Sequence, residues 1–114
     1  MAEFDRSRVV DLDRDEVKAG LADGSMLLVD VREPHEFAAG HIPGSILAPL
    51  STFDPADLPD ARGRRLVFSC RSGNRSVTAI ERAQADGLAV SEHYKGGFLD
   101  WAQSGEPVAS GLDD

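Results

Sequence analysis

The only thiol of the chain, Cys70, sits in the run Cys70-Arg71-Ser72-Gly73-Asn74-Arg75. Two arginines, a glycine and an asparagine lie within five positions of it. A structural cysteine behaves as a small hydrophobe and keeps apolar company. The residues ahead of it, Leu66-Val67-Phe68, form an apolar run that reads as a buried strand. Those behind it, Ser76-Val77-Thr78-Ala79-Ile80, read as the start of a helix. A thiol on such a strand-to-helix turn faces backbone N–H groups and the positive end of a helix dipole, and both favour a thiolate. Arg71 and Arg75 add fixed positive charge, the setting in which cysteines become nucleophiles. Ser72, Gly73 and Asn74 complete a loop able to cradle a small anion. A structural zinc site is disfavoured, because it takes about four ligands and no second cysteine exists.

The elements that must hold this loop alternate between strand and helix. Val9-Val10 reads as a short first strand. Asp13 and Glu16 have capping-box spacing, with Leu12 and Val17 as the accompanying hydrophobic staple. That helix is expected to end near Asp23-Gly24. Met26-Leu27-Leu28-Val29 is continuously apolar and reads as a strand buried on both faces, as in a parallel sheet. Pro34 suits the first turn of a second helix, with Gly40 at its end. Pro43-Gly44 signals a type II turn, and another strand is expected within residues 45–50. Residues 51–60, with Pro55 and Pro59, read as loop or short helical turn. The next strand is placed at 66–69. The helix after the cysteine should run to Asp86, with Gly87 as its C′ residue and Leu88 packing back. A last strand is expected within 90–94 and a final helix over 98–103, with a loose tail after Glu106. Strand–helix alternation implies an α/β sandwich on a largely parallel sheet. Ligands of such folds sit beyond the carboxyl ends of the strands, where Asp30, Cys70 and Gly96 all fall.

Bulk properties narrow the function. The 114 residues, 41% hydrophobic and 28% charged, suit one soluble domain. No apolar run is long enough to span a membrane. The polar N-terminus lacks the apolar core of a secretion signal, and one cysteine forms no internal disulfide, so a cytoplasmic location is expected. A net charge of −8 argues against nucleic-acid binding through a general basic surface. Residues 61–80 nevertheless hold five arginines and no acid, so this segment is +5 and the remainder −13. Arg62, Arg64 and Arg65 read as a solvated face. Arg71 and Arg75 flank the thiol, and a local positive site in a negative protein suits a small anion.

With these blocks in view, the chain resembles a single-domain rhodanese, a thiosulfate sulfurtransferase-type domain. Three blocks carry the resemblance. The first is Leu28-Val29-Asp30-Val31-Arg32-Glu33, continuing through Glu36-Phe37 to Gly40-His41-Ile42-Pro43-Gly44-Ser45. The second is Cys70-Arg71-Ser72-Gly73-Asn74-Arg75-Ser76, and the third Tyr94-Lys95-Gly96-Gly97-Phe98-Leu99-Asp100-Trp101. The likeness covers residues 9–108, which are expected to form the domain. Residues 1–8 are expected to be a flexible N-terminus and 109–114 a C-terminal tail.

The resemblance implies a three-layer α/β sandwich, with a mostly parallel five-stranded central sheet flanked by helices. It implies sulfur transfer through a persulfide on Cys70, with Arg71, Ser72, Gly73, Asn74 and Arg75 cradling the donor anion. No metal or organic cofactor is implied. The partners implied are a small anionic sulfur donor and a cyanide or thiol acceptor, a sulfur-accepting protein being a variant; nucleic acid and membrane are not implied. Phosphatase relatives in the family carry one more residue between cysteine and arginine. Here four residues separate Cys70 from Arg75, a spacing that fits sulfur and crowds phosphate. Phosphatase or arsenate reductase-type chemistry, and a sulfur-carrier or regulatory binding module, are the alternatives. Asp30 and Arg32 are read as a structural pair bracing the loop. His41 is read as a hydrogen-bonding turn residue, Trp101 as a core or pocket-wall aromatic, and His35 and His93 have no ligand-type spacing. Gly96-Gly97 reads either as a helix-entry turn or as a point where backbone approaches the catalytic loop.

Overall fold

The computed structural model describes residues 4–112. The elements run β1 (Val10–Leu12), α1 (Arg14–Asp23), β2 (Met26–Asp30), α2 (Pro34–Ala39), β3 (Ile46–Leu47), β4 (Arg65–Ser69), α3 (Arg75–Ala85), β5 (Glu92–Tyr94) and α4 (Gly97–Gln103). The strands form one five-stranded sheet in the order β1-β5-β4-β2-β3. Every strand pair in it is parallel, so the expected mostly parallel sheet is parallel throughout.

β2 is buried at all five positions, because helices or packed loops cover both faces of the sheet. Strand side chains alternate, so Leu27 and Val29 join Phe68, Cys70, Ala79, Ile80 and Ala83 on the α3 face. Met26 and Leu28 join Leu12, Val17, Val67, Tyr94 and Trp101 on the other face. Each fully buried aliphatic or aromatic side chain here contributes roughly 1.5–3 kcal/mol.

Local signals explain most boundaries. α1 starts on a capping box in which Asp13 accepts from the Glu16 N–H at 2.8 Å and Glu16 accepts from the Asp13 N–H at 3.1 Å. The staple residues Leu12 and Val17 meet in one core cluster. The turn at Pro43-Gly44 closes with the Ser45 N–H on the Ile42 carbonyl at 3.1 Å. α3 ends as a Schellman turn, with the Leu88 N–H on the Ala83 carbonyl at 3.0 Å. Leu88 itself remains 36% exposed.

The first strand begins one residue later than expected and extends to Leu12, since Val10 faces solvent and Leu12 enters the core. The stretch after Glu106 is not loose. Ala109 exchanges two backbone hydrogen bonds of 2.9 Å with His41, and the Gly111 N–H reaches the Ala38 carbonyl. The Trp101 indole donates to the Pro107 carbonyl at 2.7 Å. Backbone pairing at a distance of some 70 positions leaves no periodic trace in the sequence. Near the N-terminus, Arg6–Arg8 form a 3-10 turn and Phe4 packs against the core. Residues 1–3 and 113–114, within the segments expected to be flexible, lie outside the described residues.

Candidate active site

β4 delivers the thiol to the carboxyl edge of the sheet, and the chain turns at once into α3. Cys70 is 1% exposed and belongs to the α3-side core. The sulfur therefore lies under its own loop, with the exposed Arg71, Ser72 and Asn74 around it. The Gly73 N–H donates to Sγ at 3.1 Å, and Ser76 Oγ lies 3.5 Å from Sγ. These are the bonds to the sulfur among the described residues; the wider set of converging N–H donors expected from the loop is not formed on the sulfur itself.

The loop is clasped from behind by the corner between β5 and α4. The Phe98 N–H donates to the Cys70 carbonyl at 2.8 Å, and the Leu99 N–H to the Arg71 carbonyl at 3.0 Å. This approach needs glycine on both sides. A Cβ on Gly97 (φ +66°) would stand 2.5 Å from the carbonyl oxygens of Cys70 and Arg71. A Cβ on Gly73 (φ +93°) would stand 2.4 Å from the Lys95 carbonyl oxygen. Both readings of Gly96-Gly97 hold: Gly96 caps α4 and Gly97 opens it, and Gly97 is also where backbone approaches the loop.

The remaining expected site residues separate into groups. The Arg75 guanidinium is turned to α2, where it makes a two-pronged pair with Glu36 at 2.7 and 2.9 Å. That guanidinium draws the Glu36 carboxyl down to about 2, against a burial cost that opposes it. The same pair raises Arg75. Asp30 and Arg32 form a buried ion pair at 2.8 Å. Arg32 also donates to the Gly40 carbonyl at 2.7 Å and stacks 4.3 Å from the centroid of Phe98. Phe98 is the residue whose N–H bonds the Cys70 carbonyl, so it lies between Arg32 and the loop. His41 is fully buried, its Nδ1 2.8 Å from the Phe37 carbonyl and its ring stacked on Phe37 at 3.6 Å. Trp101 lies in the core.

Sequence reasoning overlooked three partners of the site. Glu36 lay in the first resemblance block but carried no assigned partner. His93, dismissed for want of ligand spacing, places Nδ1 2.7 Å from Ser76 Oγ. Its Nε2 lies 2.6 Å from Asp11 Oδ1, and this bond is the main reason the Asp11 carboxyl sits below its usual range. The only sequence signal for this group was the hydroxyl of Ser76, which closes the motif. Beside the loop an open cleft is bounded by Ser72, Lys95, Gly96, Arg14 and Asp100. The Tyr94 hydroxyl donates to Asp100, and burial first, then this bond, raises the phenol. Among the described residues no group of three or more His, Cys, Asp or Glu could hold a metal ion. No helix among them is long and apolar enough to cross a membrane.

Comparison with known proteins gives one consistent result. Residues 13–104 match the family model described as the rhodanese-like domain. An uncharacterized protein of Synechocystis is 42% identical over 84 residues, covering 74% of this chain but only 47% of that longer protein. A sulfurtransferase of Allochromatium vinosum is 32% identical over 103 residues, covering 90% of this chain and 96% of its own. The solved structure of a human single-domain sulfurtransferase superposes with a TM-score of 0.69 at 30% identity, covering 82% of this chain and 95% of that one. The three sequence blocks, the parallel sheet with Cys70 at its carboxyl edge and the matched family agree, and the chain belongs to the rhodanese-like domain family.

Proposed function

We propose that this protein is a sulfurtransferase that carries sulfane sulfur as a persulfide on Cys70, taking it from thiosulfate or a similar donor and giving it to cyanide or a thiol. The observation that carries this reading is the Gly73 N–H aimed at Sγ from a loop of four residues between Cys70 and Arg75. That donor is oriented before any substrate arrives, so it stabilises anionic sulfur without reorganisation. In the first displacement the thiolate attacks the outer sulfur of thiosulfate. A new S–S bond forms, the old one breaks, and sulfite leaves with the electron pair. In the second, the acceptor attacks the terminal sulfur and the Cys70 thiolate is released. Arg71, exposed on the loop, and Lys95, on the adjoining cleft, are placed to attract the donor anion. Ser72 and Asn74 form the rim of the cradle. No cofactor enters either step. The single thiol suits a reducing compartment, and the cytoplasm is the compartment proposed.

Phosphoryl transfer is the competing chemistry on this loop. It draws on an arginine free to clamp phosphate oxygens in a two-pronged grip. Arg75 gives that grip to Glu36 instead. The test is the mass of the intact protein after exposure to thiosulfate. A gain of one sulfur atom, absent in Cys70→Ser, is expected. No gain, with hydrolysis of an aryl phosphate by the same sample, would replace this reading by the phosphatase one. Neither reaction would leave a binding module.

A further inference from the structure

Cys70 is joined to the edge of the sheet by a line of hydrogen bonds that neither displacement uses. Sγ lies 3.5 Å from Ser76 Oγ, which lies 2.7 Å from His93 Nδ1. His93 Nε2 in turn lies 2.6 Å from Asp11 Oδ1. Ser76 and His93 are 0% and 1% exposed, whereas the Asp11 side chain is 39% exposed. The line therefore runs from core to solvent. Four separate elements supply it, and strand register aligns it. His93 pairs with Asp11 across β1 and β5 and with Phe68 across β5 and β4. Residues paired in register share a face, so His93 and Asp11 point with Phe68 toward α3, which opens with Ser76.

We propose that Ser76, His93 and Asp11 form a proton relay that moves the Cys70 thiol proton onto His93 when the nucleophile forms. The identity of the nucleophile rests on the sulfur-transfer reading; the relay rests on the hydrogen-bond line. Two proton arrangements satisfy every bond in it. In the first, the thiol S–H donates to Ser76 Oγ, the Ser76 O–H to His93 Nδ1, and the His93 Nε2–H to the Asp11 carboxylate. In the second, the thiol proton has passed to Ser76 Oγ and the serine proton to Nδ1. The sulfur is then a thiolate accepting from the Gly73 N–H and the Ser76 O–H. His93 is an imidazolium donating to Ser76 and to Asp11. No proton enters or leaves the site, and no bond between heavy atoms changes.

Burial is the physical reason for such a device. A lone thiolate at a position 1% exposed suffers a large desolvation cost. Keeping the proton within the same site holds its net charge constant, and Asp11 steadies the imidazolium. The other groups around the line leave it intact. β4 presents Phe68 to His93, and α3 presents Ser76. Lys95 and Arg6 approach Asp11 at 3.8 and 4.0 Å rather than the imidazole, and both are exposed. The Arg75 guanidinium is paired with Glu36 and is not one of the line's hydrogen-bond partners. His93 and Asp11 act through Ser76 and are positioning residues.

The test is the pH profile of Cys70 alkylation by iodoacetamide in wild type, Ser76→Ala, His93→Gln and Asp11→Asn, with folding checked by circular dichroism. At pH 7 the rate should fall about tenfold in Ser76→Ala and in His93→Gln, as the profile moves up by about one unit. Asp11→Asn should show a smaller loss in the same direction. The Ser76→Ala/His93→Gln double variant should be no slower than the slower single one, because the two lie on one path. Ser76→Thr, which keeps the hydroxyl, should recover most of the rate. Asp11 is at the exposed edge, so its variant reads the relay even if a buried substitution unfolds the protein. Unmoved profiles in Asp11→Asn and Ser76→Ala, or losses that simply add, overturn the relay. The same samples given thiosulfate separate the two ideas. Unmoved profiles with normal persulfide formation remove the relay alone; shifted profiles without persulfide remove the transfer reading alone.

Discussion

Sulfur and oxygen differ little in size at position 70, but they differ greatly as nucleophiles near neutral pH. Cys70→Ser should therefore abolish thiocyanate production from thiosulfate and cyanide while leaving the circular dichroism unchanged. Turnover near the wild-type level would contradict the assignment. The two loop arginines are expected to act differently, Arg75 opening the helix and Arg71 attracting the anion from the loop tip. Arg71 is exposed and Arg75 is paired with Glu36. Arg71→Ala should raise the KM for thiosulfate more than it lowers kcat, the mark of lost uniform binding. The effect should shrink at high salt, since the Debye length is already ~10 Å at 0.1 M. The Glu36 pair makes a claim about stability instead. The carboxyl is drawn down to about 2 in the folded protein from an ordinary 4.5. A lowered folded value means that the stabilisation is complete above the ordinary value and fades as pH falls through the folded one. Both side chains remain partly exposed, which trims the pair to about 1–2 kcal/mol. Glu36→Gln should cost that much in urea unfolding at pH 7, and the difference from wild type should vanish as pH approaches 2.

The elements matter through where they end. β4 and β5 stop side by side, and the backbone that follows each strand meets the other at Gly97 and Gly73. Gly97→Ala places a methyl group against two backbone carbonyls that cannot move aside as a side chain could. It also forces a positive φ on a residue with a Cβ. The expected result is a loss of more than about 1 kcal/mol together with a fall in persulfide yield. An unchanged melting temperature and yield would show that the clasp is not needed. Helix starts, breakers and the buried run of β2 were legible from local chemistry alone. The capping box at Asp13, the turn at Pro43-Gly44 and the end of α3 all lie where spacing placed them. The docking of Ala109 on His41 was not, because a backbone bridge requires no particular side chains.

For the molecule as a whole, the fold redistributes the arginines. Arg62, Arg64 and Arg65 precede or begin β4, and Arg71 and Arg75 follow it. Leu66 to Ser69 of the strand and Cys70 lie between Arg65 and Arg71, a span of roughly 20 Å at the rise of a strand. Arg65 is spent on Glu92, at 2.5 Å. The single positive segment of the sequence is thus two groups at opposite edges of the sheet, and only one stands at the thiol. The molecule has no second cysteine with which to resolve a persulfide. In the proposed persulfide mechanism, sulfur on Cys70 would wait for an outside nucleophile, and ping-pong kinetics are expected. Treating the protein with thiosulfate, removing the excess by gel filtration and adding cyanide should release close to one equivalent of thiocyanate per chain. Intersecting double-reciprocal lines and no thiocyanate would require both substrates to be present together.

The motif around Cys70, the alternation of strands and helices and each of the three blocks are properties of short stretches of chain. The sequence by itself determined the family and the sheet from them, and it singled out Cys70 as the candidate nucleophile. The partners of that nucleophile were decided only by tertiary structure. Arg75 could have faced the loop, but the packing of α2 set Glu36 in front of it. His93 and Asp11 stand 82 positions apart. Parallel strands acquire their neighbours through crossovers, so β1 lies beside the last strand of the chain and not beside the next one. That register alone brings the histidine between Asp11 and Ser76, and no spacing in the sequence encodes it.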